Sequence, residues 1–84
     1  MSISLLRRSE VCQRTGRAES TIDLDIKNGV MVPPVSIGSR AVAFPSNEID
    51  ALIRARISGA SDDELRKLVK KLVADRRTSV RGAA

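Results

Sequence analysis

The stretch "STIDLDIKNG", Ser20 to Gly29, gathers short polar side chains at helical spacing. Hydroxyls such as those of Ser20 and Thr21 donate or accept, Asn28 has the fork that pairs with adenine, and Leu24 suits a thymine methyl. On a helix turning by about 100° per residue, Ile22 and Ile26 define a buried side. Ser20, Thr21, Leu24, Lys27 and Asn28 then share the opposite face, and Asp23 and Asp25 fall on its two shoulders. The centre of that face is neutral to basic, although the string carries two aspartates, follows Glu19 and has one lysine. Both acids would repel phosphates unless paired, for example Asp25 with Arg14. The alternative is an ordinary packing helix with solvated acidic flanks.

Other chemistry is scarce. The chain has no histidine and a single cysteine, Cys12. Histidine catalysis, a Cys/His zinc site and an internal disulfide are therefore excluded. Cys12 reads as a small core residue and fits a reducing compartment. The one cluster of carboxylates, "DDE" at Asp62 to Glu64, is explained by helix capping. No base–nucleophile set and no phosphate-cradling glycine loop occur, so neither enzymatic activity nor a metal or cofactor is expected. "MSISLLRRSE" holds no long apolar run, which predicts neither a leader nor a membrane span and suggests a cytoplasmic protein.

The elements that position the polar face follow from capping and periodicity. "SEVCQRTG" predicts a short helix with Ser9 as N-cap, Val11 and Cys12 inward, and Gly16 as its left-handed stop. After Arg17 and Ala18, a second helix runs from Glu19 to Asn28 and stops at Gly29, forming a helix-turn-helix candidate. Pro33 and Pro34 impose an extended path. "VSI" and "AVAF" flank "GSR" as a β-hairpin turning near Gly38 and Ser39, with Arg40 at its tip. "SNEIDALIRARISG" predicts a third helix capped by Asn47 with Asp50, its stripe made of Ile49, Leu52, Ile53 and Ile57.

"SDDELRKLVKKLVADRR" predicts a fourth, amphipathic helix with a Ser61/Glu64 capping box. Leu65, Leu68, Val69, Leu72 and Val73 make its apolar stripe, which either packs on the same domain or pairs with a second copy. Dimerisation is the preferred expectation, because 84 residues with one aromatic, Phe44, form a thin core with little spare apolar face. The Lys-rich side reads first as a solvated face, then as a backbone contact to DNA. The organisation expected is a mainly α domain with a small β-hairpin over 1–58, the amphipathic helix over 59–78, and a flexible tail over 79–84.

Net charge is +5. Residues 1–57 hold eight basic and six acidic residues, or +2, and residues 58–84 hold seven and four, or +3. A basic balance suggests an anionic partner, most often nucleic acid. Arg7, Arg8, Arg14 and Arg17 surround the first helix and are candidates to clamp phosphates. Arg40 is a candidate for a phosphate or a narrow minor groove.

Leu5 to Arg56 resembles the AlpA family of prophage regulatory proteins, small relatives of MerR-like and excisionase winged-helix proteins. The marks are "LL" before a polar pair and "EV", then "TG", "STI", "IKNG", a Pro before "VSIG", "RAVAF" and the closing helix "EIDALIRAR". The resemblance implies a winged helix-turn-helix that binds double-stranded DNA at mobile-element loci. It would do so as a transcriptional regulator of integrase or excision genes, or as an excisionase-like factor that bends attachment-site DNA. It implies a recognition surface of Ser20, Thr21, Asp23, Leu24, Lys27 and Asn28, and a wing of Ile37 to Val42. Phe44 stands where the family usually has Trp. The chain departs from the pattern at Ala18, where a polar cap is usual, at Asp23 and Leu24, and at Asp25, which is usually apolar.

The expected partners are therefore double-stranded DNA, a second copy or cooperative array, and RNA polymerase or an integrase, with no membrane. A protein-interaction module without DNA binding is the rival from another class. An RNA binder is disfavoured by the shortage of stacking aromatics.

Overall fold

A computed structural model describes the backbone of residues 3–83 and the side chains of residues 3–76. In chain order the elements are β1 (Leu5–Leu6), α1 (Arg8–Thr15), α2 (Glu19–Asn28), β2 (Val35–Ser36), β3 (Val42–Pro45), α3 (Ser46–Ile57) and α4 (Asp62–Ala83). This is the expected winged helix-turn-helix order: mainly helical, with a small antiparallel sheet and an added C-terminal helix. The expected tail over 79–84 lies outside the residues whose side chains are described.

The sheet has one strand more than the hairpin reading supplied. Its order is β1-β3-β2, with Leu6 opposite Phe44 and Val35 opposite Ala43. Beyond β1 the ladder continues through Ser46, whose amide donates to the Ser4 carbonyl at 2.8 Å. Its hydroxyl accepts the Ser4 amide at 2.8 Å. That bond explains why α3 starts at Ser46 rather than behind an Asn47 cap. The chain passes from β3 into the helix without a loop, and Pro45, at φ −63°, stands at the N-cap in extended conformation. Asp50, expected to complete that cap, instead faces Arg14 at 3.7 Å.

The start of α1 also moves by two residues, since the cap is Arg7 and not Ser9. Glu10 accepts the Arg7 amide at 3.3 Å, which replaces the missing hydroxyl cap. Both stops hold as the sequence predicts. Gly16 at φ +72° and Gly29 at φ +81° take the left-handed conformation that frees the chain to turn. The Gly16 amide donates to Cys12 and the Val30 amide to Asp25, so carbonyls at each helix end are satisfied.

The core joins every layer. Leu6, Val11, Ile22, Val30, Met31, Val32, Phe44, Ile49, Leu52, Leu65 and Val69 form one buried cluster, with Cys12 half-buried against it. Ile57 leaves the expected stripe: as the last residue of α3 it is 80% exposed, beyond the reach of the core. For the fourth helix the sequence left two alternatives open, packing on its own domain or pairing with a second copy. Leu65 and Val69 are buried in the domain's own cluster, and Leu68, Leu72 and Val73 pack partly against it. The stripe expected to pair with a second copy thus closes its own core, where each fully buried aliphatic is worth roughly 2 kcal/mol.

Candidate nucleic-acid interface

Helix α2 is fixed by what lies on its flanks. Ile22 is fully buried and Ile26 half-buried, which anchors one side. Asp23 accepts a hydrogen bond from Arg8 at the start of α1. The same arginine lies over the Phe44 ring, 5.8 Å from its centroid, so one cation ties α2 to α1 and both to β3. On the other flank Arg17, in the turn, donates Nε to Asp25 Oδ2 at 2.6 Å and Nη2 to Oδ1 at 3.1 Å. Arg56 of α3 stands 4.0 Å from the same carboxylate.

These contacts revise two sequence expectations. Asp25 is not a solvent-side shoulder residue; its side chain is buried. Its partner is Arg17 and not Arg14, which faces Asp50 instead. A carboxylate without a partner in that position would carry a desolvation cost of several kcal/mol, so the bidentate guanidinium is a condition of the fold. The reach explains the choice: Arg17 sits in the turn beside α2, whereas Arg14 is on the helix face turned toward α3.

The remaining side chains of α2 form an open strip. Ser20, Leu24, Lys27 and Asn28 are exposed and Thr21 is half-buried. Leu24, a large aliphatic at the centre of the strip, is 55% exposed. The hairpin carries Arg40 at an exposed position, and its loop closes where the Ile37 amide donates to the Ala41 carbonyl at 2.9 Å. Ser36 Oγ donates to the Gly38 carbonyl at 3.1 Å, stiffening the approach to that tip. All nine residues expected at the interface are exposed or half-buried, and three of them, Asp23, Arg14 and Arg17, are engaged with opposite charges of their own chain.

Sequence reasoning missed the role of α4 at this site. Arg66 Nε donates to the Asn28 carbonyl at 3.0 Å, and its Cγ lies 3.6 Å from where a side chain on Gly29 would begin. Nη1 of the same guanidinium reaches Asp63 at 3.0 Å. Ten residues on, Arg76 donates Nε and Nη2 to the buried Glu48 carboxylate at 2.8 and 2.6 Å, and Nη2 also to the Pro33 carbonyl at 2.8 Å. The contacts to Asn28, Glu48 and Pro33 span 28 to 43 residues, and no periodicity or motif announces them.

Among the described residues no group of three His, Cys, Asp or Glu side chains could hold a metal ion, and no helix is long and apolar enough to cross a membrane. Every buried side-chain nitrogen and oxygen among them has a hydrogen-bond partner. A family model described as "Prophage CP4-57 regulatory protein (AlpA)" matches residues 4–57, more than half of the chain. No curated protein and no solved structure matches.

Proposed function

This chain belongs to the AlpA family of prophage regulatory proteins, and from that premise we propose that it regulates transcription by binding a specific double-stranded DNA site. Helix α2 enters the major groove, and Ser20, Thr21, Leu24 and Asn28 read base edges while Lys27 meets a phosphate. Arg40 at the hairpin tip follows the adjacent backbone or minor groove.

The observation that carries this reading is the pairing pattern on α2. Both aspartates are engaged by arginines, Asp23 by Arg8 and Asp25 by Arg17, while the strip between them is left to solvent. Neutralised flanks beside an exposed polar strip are what groove entry demands, since phosphates line both sides of the groove.

In vitro selection from random DNA, followed by footprinting on the recovered site, tests the reading. Binding should strengthen as salt falls, and alanine at Ser20, Thr21 and Asn28 should relax the recovered motif. A motif unchanged by those replacements would show that α2 is not the reading helix. No affinity at low ionic strength would leave a protein-interaction module as the better account. Contact with RNA polymerase or an integrase, and cooperative assembly along DNA, belong to the same reading. A surface for either lies outside Leu65 and Val69, which are buried.

A further inference from the structure

The segment that joins α2 to the hairpin is short, apolar and held at both ends by one helix. Val30, Met31 and Val32 are buried. Just before them Arg66 of α4 donates to the Asn28 carbonyl, and just after them Arg76 of α4 donates to the Pro33 carbonyl. Leu65, next to Arg66, and Val69, between the two arginines, are buried in the same core cluster as the segment itself. Glu48, buried on α3, locks Arg76 in place through two hydrogen bonds. The α4 side of these contacts comes from residues 62–76, beyond the part of the chain that the family model matches.

We propose that α4 is a brace that sets the orientation of α2 relative to the hairpin, with Arg66 and Arg76 as its positioning residues. The proposal rests on the reading of those two elements as the DNA-contacting pair. Carbonyls at the end of a helix have no partner within it and accept an outside donor. An arginine there fixes the helix end both by that bond and by favourable charge at the negative end of the helix. At Pro33 the chain must turn into the hairpin, and a carbonyl held by a fork already locked on Glu48 cannot swing. Two fixed points on one rigid helix leave the residues between them, 29–32, no freedom to change the angle between helix and wing. Site selection by this protein is then a property of α4 as well as of the residues that touch bases, because the distance between groove and wing contacts is set from behind.

The test uses the full chain with Arg66→Met, Arg76→Lys and the two combined. Methionine keeps the stem over Gly29 and removes the donor. Lysine keeps the charge beside Glu48 and gives up the fork that also reaches Pro33. Residual dipolar couplings without DNA should fit one orientation for α2 and the β2–β3 hairpin in the unmodified chain and two in the combined variant. Exchange of the Val30 amide should rise about tenfold more than that of amides within α1 and α3. On the selected DNA, protection under the hairpin should be lost while protection under α2 persists, with affinity about tenfold weaker, and Arg66→Lys should recover most of it. A single shared orientation, with Val30 exchange rising only in step with α1 and α3, would overturn the brace. So would equal loss of protection under both elements. Should the unmodified chain bind no DNA, the DNA reading alone fails, and the couplings still decide the brace. If the combined variant does not fold, the two single variants carry the same comparison.

Discussion

Arg17 and Asp25 form a bidentate pair in which the acid is buried and the base is not: the carboxylate side chain is 8% exposed and the guanidinium side chain 32%. The helix that offers its outer strip to solvent is therefore keyed into the domain by a charge on its inner flank. Replacing Arg17 with Ala leaves Asp25 with only Arg56, 4.0 Å away. The expected cost is about 2 kcal/mol, below that of breaking a fully buried pair because Arg17 keeps some water. In a domain this small that lowers Tm by roughly 10 °C, read by thermal denaturation. Replacing both residues, with Asp25→Leu and Arg17→Gln, should recover most of the loss, and a double variant as unstable as Arg17→Ala would refute the pairing.

The opposite flank behaves differently, because Asp23 is largely exposed and its pair with Arg8 is a surface one. Asp23→Ala should change stability by less than about 1 kcal/mol. It removes a negative charge beside the proposed phosphate path and frees Arg8, so DNA affinity at low salt should rise severalfold. Fluorescence anisotropy across a salt series checks this, and unchanged binding in the variant would place α2 away from the backbone.

Leu24 and Phe44 separate reading from folding. Leu24 lies in the open strip, so Leu24→Ala should alter stability by no more than about 0.5 kcal/mol while reducing affinity for the selected site. Phe44 is fully buried and is the chain's one aromatic. Phe44→Ala should cost about 3–5 kcal/mol, most of what a domain of this size has, and abolish the cooperative melt. A Leu24 variant that loses stability without losing affinity would contradict the assignment of that face.

At the start of α4 the Glu64 carboxyl is held below its ordinary range. The Ser61 amide, which donates to it at 3.1 Å, is the main cause, and the Ser61 hydroxyl adds to it. The hydroxyl in turn accepts the Glu64 amide at 3.2 Å, completing a capping box. A folded-state value lowered below the unfolded one gives stability that is present above the unfolded value and lost as pH falls through the folded one. Fraying of the first turn of α4 should therefore set in as pH drops below the ordinary glutamate range. Ser61→Ala should move the Glu64 titration midpoint upward, as followed by carboxyl carbon shifts in NMR.

Much of this architecture was legible from residue types whose effects are local. Gly16 and Gly29 end their helices because the left-handed turn costs glycine nothing, and Ser61 with Glu64 marks a helix start wherever it occurs. The two aspartates of α2 show where such reading stops. Both lie about 80° from the axis through Ile22 and Ile26, so the helical wheel gives them equal standing. One is buried and the other exposed. The difference comes from Arg17 and Arg56, which the fold brings to one flank only. The same holds for Glu48 and Arg76, separated by 28 residues, and for β1, whose two residues are too short to alternate visibly. The fourth helix was readable as amphipathic, but an apolar stripe does not name what covers it.

The burial of Leu65 and Val69 among residues of the matched segment also bears on exchange of parts between relatives. Residues 4–57, the matched segment, form a cassette that would carry its proposed DNA preference along if moved to another regulator. In this chain the cassette is not self-contained, because the floor beneath it is supplied from downstream. A chimera joining residues 4–57 to a foreign tail would inherit the proposed base-reading side chains together with an open apolar seam. Its descendants would be selected first for a helix that fits that seam, and only afterwards for the site they recognise.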